Sequence, residues 1–240
     1  MTLRATIHAA SRLSAGELAR MFELMDAHYE NVTREGFQRD LTAKRWAILL
    51  RDKDNRLQGF STLQLFTLED ATYLYSGDTI VNPEHWLDGG LVGAFGHVLL
   101  RLFEEVGEER LYWFLISKGF RTYRLLPLHF PTYLPAAGHA DDPELLARRD
   151  AAARHLFGHA FDPRTGCILA GPGKDHLRPE LAGIPEHRRG DPHVAFFLAQ
   201  NPGYAQGDEL ACLTPLTRAN LTAMAWRQIR HTAAIWEEGA

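Results

Sequence analysis

Tyr73-Leu74-Tyr75-Ser76-Gly77-Asp78-Thr79-Ile80-Val81 runs into the loop Asn82-Pro83-Glu84-His85-Trp86-Leu87-Asp88-Gly89-Gly90, and these two stretches decide the fold. The first alternates in the manner of a strand. Behind the loop, Leu91, Val92, Phe95, Val98, Leu99, Leu102, Phe103 and Val106 repeat with helical spacing over four turns. Leu111 to Ile116 is then six apolar residues rich in aromatics, which suits a strand covered on both faces and parallel to its predecessor. Strand, crossover helix and parallel strand place the intervening loop at the carboxyl edge of a sheet, where such folds bind ligands.

Upstream, Ser14-Ala15-Gly16-Glu17 has the form of a capping box, and Leu18, Met21, Phe22 and Met25 extend a helix to about Tyr29. Thr33 caps a second short helix carrying Phe37 and Leu41. Trp46 to Leu50 and Leu57 to Phe66, joined by the polar turn from Arg51 to Arg56, read as a hairpin. Downstream, Ser117 to Leu126 reads as a short helix stopped by Pro127. From Pro131 to Pro192 prolines, glycines and histidines become frequent, with one Arg/Ala-rich helix near Pro143 to Phe157; this stretch reads as an insertion, 131–192, within a single domain spanning 1–240. His193 to Ala199 and Glu209 to Leu216 read as a last strand pair, and Asn220 to Trp236 as a closing helix.

Composition narrows the class of function. At 240 residues, 45% of them apolar, the chain can bury a core of its own. A net charge of −4, from 26 basic and 30 acidic residues, gives no basic field for nucleic acid. The start lacks the regions of a secretory signal, and no stretch approaches 18 uninterrupted apolar residues, so the expectation is a cytoplasmic protein without a membrane span. Cys167 and Cys212 are too few for a disulfide framework and wrongly spaced for zinc; His155 and His159 share a helix face without a third ligand, and no metal is expected.

The order of two helices, a hairpin, a strand, a loop and helix, a strand, a short helix and a final strand pair resembles the GNAT superfamily of acyl-CoA-dependent N-acyltransferases. The resemblance covers Leu13 to about Tyr133 well and His193 to Leu216 loosely. It implies an α/β fold with a mixed, mostly antiparallel central sheet flanked by helices. It also implies that the strands at Tyr73 to Val81 and Leu111 to Ile116 splay apart around the pantetheine arm of a donor, whose pyrophosphate is held by the loop and the helix start. The matching stretch here, Trp86-Leu87-Asp88-Gly89-Gly90, lacks the family's basic residue and carries an acidic one, and Asp88 competes with a phosphate as helix cap. The donor is then either a carrier-protein thioester, with a single phosphodiester, or an acyl-CoA held mainly through pantetheine and acyl chain.

The implied reaction is direct transfer of an acyl group from acyl-CoA or acyl-phosphopantetheine to an amine, of a small molecule or a peptide. Asp78, on the ligand half of its strand, is the candidate base; the plain alternative is a side chain bonded to local backbone. Tyr123 is the candidate acid for the leaving thiolate, or else a core tyrosine. Ile80 and Val81 would polarise the thioester through backbone groups, with Trp86, Leu87, Asp88, Gly89 and Gly90 toward the donor phosphates, and Ser117 and Lys118 toward the pantetheine arm. His28, Tyr29, His129, Tyr133 and Tyr204 would line the acceptor cleft, while Tyr73, Tyr75, Tyr112 and Phe114 would govern acyl length. Two other readings remain: a GNAT-like module that binds an acyl or CoA ligand without turnover, and a thiol hydrolase using Cys167.

Overall fold

The computed structural model describes residues 3–138 and 140–237. Along the chain run β1 (Arg4–Ala9), α1 (Ala15–His28), β2 (Tyr29–Glu30), α2 (Arg34–Leu41), β3 (Trp46–Arg51), β4 (Leu57–Leu68), β5 (Ala71–Val81), α3 (Gly90–Glu105), β6 (Leu111–Ser117), α4 (Phe120–Tyr123) and α5 (Leu125–His129). Then follow α6 (Pro143–Phe157), β7 (Phe161–Asp162), β8 (Cys167–Ile168), β9 (His176–Leu177), α7 (Pro179–Ala182), α8 (Pro192–Gln200), β10 (Glu209–Pro215), α9 (Ala223–His231) and β11 (Ala234–Trp236). The described residues form a nine-stranded sheet in the order β11-β1-β3-β4-β5-β6-β10-β8-β7, with β2 and β9 as a separate antiparallel pair. Only β1–β11 and β5–β6 are parallel, so the sheet is mixed and mostly antiparallel.

The start of α1 shows why its boundary was readable. Ser14 and Glu17 close a reciprocal capping box that satisfies two of the N–H groups a helix start leaves bare. Thr33 caps α2 through Gly36 N. The central unit, strand, helix and parallel strand, is present as read, with Thr72 to Ser76 paired to Leu111 to Leu115.

Other boundaries differ from the expectation. Pro127 does not stop a helix: it lies in the first turn of α5, where a missing N–H leaves no bond broken. His193 to Ala199 is helix, not strand, because Asp191 caps its first turn and Pro192 sits at the first helical position. The last strand pair is thus a single strand, β10, and it joins β6. The closing helix ends at His231, after which Ala234–Trp236 turns back as a parallel edge strand on β1, itself a strand that the sequence reading missed. The first helix stops one residue short of Tyr29, which begins β2.

One face of the sheet is covered by α3, α5, α8 and α9, packed on Leu74, Trp113, Leu115 and Cys212. The opposite face is divided. Helices α1 and α2 cover β3 and β4 around Leu49, Phe60 and Ile80, and α6 covers β5, β6 and β10 around Tyr75, Phe114 and Leu213. Tyr73, Tyr75, Tyr112 and Phe114 therefore lie under α6, with Phe157 6.1 Å from the Tyr75 ring and Arg148 5.2 Å from the Tyr112 ring, and are closed to an acyl chain.

Candidate functional site

The ladder between β5 and β6 ends at Ser76 and Leu115 although both strands continue, so the two part at their carboxyl ends. A β-bulge sits at the parting: between the pairs Ser61–Thr79 and Leu63–Ser76, Gly77 and Asp78 together oppose Thr62 alone. The extra residue keeps Ser76 and Thr79 on the α3 side and sends Gly77 and Asp78 to the other. An added Cβ at Gly77 would come within 2.9 Å of Lys44 Nζ and 2.8 Å of Thr62 Oγ1, so a side chain there would displace the ammonium.

On the α3 side lies an apolar cavity of about 50 Å³, lined by Leu91, Phe95, Leu99, Trp113, Phe130 and Ile229 with Ser76 and Thr79 at the parting. Its polar groups are largely spoken for. Trp113 Nε1 donates to Ser76 Oγ at 3.0 Å, and Ser61 Oγ meets Thr79 Oγ1 at 2.8 Å. His129 reaches Leu125 O and Gln228 Oε1, each at 2.8 Å, and burial holds its imidazole below the usual range.

Opposite this cavity is a cluster of charges. Burial pushes the Asp78 carboxyl up to about 6, Asp40 adds to this, and Lys118 and Lys44 oppose it. Asp78 accepts no hydrogen bond among the described residues. Lys44, its side chain 1% exposed, pairs with Asp40 at 3.0 Å and lies 4.7 Å from the centre of the Tyr75 ring. Lys118 pairs with Asp175 and, at 3.5 Å, with buried Glu209; burial works against its charge, but the two carboxylates outweigh burial and keep the ammonium charged far above its ordinary range. Its Nζ lies 5.0 Å from the Tyr29 ring, whose phenol burial pushes up to about 12 with Asp78, Glu209 and Asp175 contributing. Lys174 joins Asp175 at 3.3 Å and Glu209 at 3.5 Å.

The expected site residues thus divide into groups. Asp78, Tyr29 and Lys118 are brought together. Ser117 is fully buried at the end of β6, and its carbonyl accepts from Asn201 Nδ2 at 3.4 Å. His28 is buried at the end of α1, its Nδ1 2.8 Å from Leu24 O and its Nε2 without a partner among the described residues. His129 lies on the cavity side of the sheet, away from these. Tyr123 is fully buried, its hydroxyl donating to Pro135 O at 2.9 Å and its ring against Tyr133, Phe196 and Phe197; burial holds that phenol protonated far above its ordinary range. Tyr204 packs edge-on to Phe197. Lys44, Asp40, Asp175 and Glu209 were missed, since nothing in local spacing links them to Asp78; the glycine before Asp78 was the one available signal of close approach.

At the start of α3 the loop folds onto itself. Asp88 accepts from Gly90 N through one oxygen and from Leu3 N through the other, both at 2.8 Å. Gly89 is the N-cap residue. Trp86 Nε1 donates to Val81 O at 2.8 Å, Ile80 is buried between β5 and α1, and Leu87 is fully exposed. Both thiols are buried, and burial raises Cys167 to about 11 and Cys212 to about 12, which removes the nucleophile that a thiol hydrolase needs. No cluster of three or more metal-ligating side chains occurs among the described residues, and no helix among them is long and apolar enough to cross a membrane.

The chain matches no known protein family profile and no curated protein. Among solved structures it is similar to a conserved protein of unknown function from Enterococcus faecalis described as a probable N-acyltransferase, at 17% identity and TM-score 0.42 over 55% of this chain and 33% of that one. It is similar also to the GNAT family N-acetyltransferase YhbS from Escherichia coli in complex with CoA, at 13% identity and TM-score 0.37 over 49% and 65%. A third is a GCN5-related N-acetyltransferase from Sphaerobacter thermophilus, at 14% identity and TM-score 0.32 over 94% and 91%. The chain spans less than two thirds of the length of the first two. The mixed, mostly antiparallel sheet flanked by helices, with its parallel β5–β6 pair, is the architecture expected from the sequence.

Proposed function

We propose that this protein transfers an acyl group from a pantetheine thioester to an amine. The observation that carries the reading is the parting of β5 from β6, with an apolar cavity on one side and the ionisable, unbonded carboxylate of Asp78 on the other. In this reading the pantetheine arm lies on the cavity side and its thioester sits in the gap, while the amine approaches across the charged cluster. The acceptor ammonium gives one proton to Asp78. Its nitrogen then forms the new C–N bond, the C–S bond breaks, and the second nitrogen proton ends on the departing thiolate; Asp78 returns its proton to solvent. A carboxyl raised to about 6 suits this task near neutrality, because it is ionised at rest yet basic enough to accept. Positioning in the gap supplies much of the rate.

Residues 131–192 serve in this reading as the acceptor wall, since they bring Lys174 and Asp175 against Lys118 and pair β9 with β2 beside Tyr29. The donor is an acyl-CoA or an acylated carrier protein. The test is native mass spectrometry with acetyl-CoA, a long-chain acyl-CoA and an acyl-carrier protein, followed by thiol release on addition of amines. Amine-dependent thiol release supports the transferase. Binding without release with any amine favours the non-catalytic module, and no binding of any donor overturns the pantetheine cleft itself.

A further inference from the structure

The start of α3 already holds an anion. Asp88 takes the Gly90 N–H and contributes the negative charge that a helix start favours, so a donor phosphate placed there would meet a like charge and lose a donor group. A cation lies against the same loop. Thr122 of α4 lines the cavity, and the residue before it, Arg121, lays its guanidinium 3.9 Å from the centre of the Trp86 ring and donates Nη1 to Leu181 O at 2.9 Å. Stacking and that one bond fix the fork and leave its other N–H groups free.

Charge balance sets Arg121 apart from its neighbours. Arg124 and Arg188 share Asp191, at 2.9 and 3.7 Å. No carboxylate pairs with Arg121 among the described residues. Burial and the nearby Arg188 both weaken its hold on its proton. A half-buried, oriented guanidinium without a counter-charge, stacked on a ring that is itself bonded to Val81 O at the parted end of β5, has the geometry of a phosphate receptor.

We propose that Arg121, supported by Arg188, binds the phosphate that ends the pantetheine arm of the donor, in place of the start of α3. The inference rests on the acyl-transfer reading of the cavity. The ligand chemistry is 4′-phosphopantetheine, whether it comes from free CoA or from a carrier protein.

The experiment is calorimetric titration of the full chain, wild type, Arg121→Gln and Arg188→Gln, with pantetheine, 4′-phosphopantetheine, CoA and a holo-carrier protein. Wild type should bind 4′-phosphopantetheine about ten- to a hundredfold tighter than pantetheine, the range of one or two charge-assisted bonds. Arg121→Gln should lose that preference while its affinity for pantetheine stays that of wild type, which also shows that the variant is folded. Arg188→Gln should lose part of the preference. Preference for CoA or for the carrier protein, lost in Arg121→Gln, identifies the source. Equal wild-type affinity for pantetheine and 4′-phosphopantetheine, or a preference that survives Arg121→Gln, overturns the role of Arg121 alone. Failure of wild type to bind any of the four overturns both this inference and the acyl-transfer reading.

Discussion

On the α3 side of the parted strands, Ser76, Thr79 and Trp113 open into an apolar cavity whose few polar atoms are bonded to one another; on the other side, Asp78 stands unbonded among Lys44, Lys118 and four aromatic or acidic neighbours. The same strand builds both. The first side offers shape and little charge, which suits an uncharged arm. The second holds charges in low dielectric, where proton affinities shift and one proton can be moved. In the proposed acyl-transfer reading, binding and chemistry are separated by the thickness of one sheet.

The sharpest way to break this contrast is Asp78→Asn. Turnover should fall by about 10²- to 10⁴-fold, the usual contribution of a positioned base, while donor binding is retained. Stability should move the other way. The folded carboxyl, at about 6, holds its proton more tightly than an ordinary aspartate, so native stability falls as pH rises from about 4 to 6, and the variant should be more stable than wild type above pH 6 by about 1–3 kcal/mol. A thermal melt at pH 5 and pH 8 reads the sign.

Lys118→Met tests the charged side as a structure. It leaves buried Glu209 and its neighbour Asp175 with Lys174 as their one remaining cation among the described residues, and about 1–3 kcal/mol of unfolding free energy should disappear in urea titration. Gly96→Ala tests the apolar side. The new Cβ would lie 2.2 Å from Ile229 Cγ1, so α9 must move off α3, at a cost of about 1–3 kcal/mol and with weaker donor binding.

The rate of wild type should rise with pH and reach half its plateau near pH 6, since Asp78 must be ionised to accept a proton; a profile flat from pH 5 to 8 would remove Asp78 from the chemistry. Alkylation with iodoacetamide should change nothing in the folded protein, because both thiols are buried and protonated.

The central unit was legible because its signals are local and repeated: eight apolar residues at helical spacing define α3, and an uninterrupted apolar run defines β6. The capping box did the same for α1. His193 to Ala199 misled because the short apolar run Val194 to Ala199 fits a strand or a buried helix equally, and the Asp-Pro pair before it was the arbiter. Strand β1 pairs at the sheet edge with residues more than two hundred positions away, a fact that no window of sequence holds. In the site, Asp78 stood out as a carboxyl on the ligand half of a strand. Its partners Lys44 and Lys118 come from other elements, and Arg121 is oriented by Trp86, a residue of a separate loop.

The bulge at Gly77 and Asp78 has a consequence for how β5 tolerates change. The two residues share one side, so a deletion of either Gly77 or Asp78 closes the bulge into plain alternation and leaves Thr79 and Val81 on the α3 side and Ile80 opposite. A deletion of Thr79, with the bulge kept, would instead bring Ile80 to the cavity and carry Val81 to the charged side, exchanging the lining of two compartments at once.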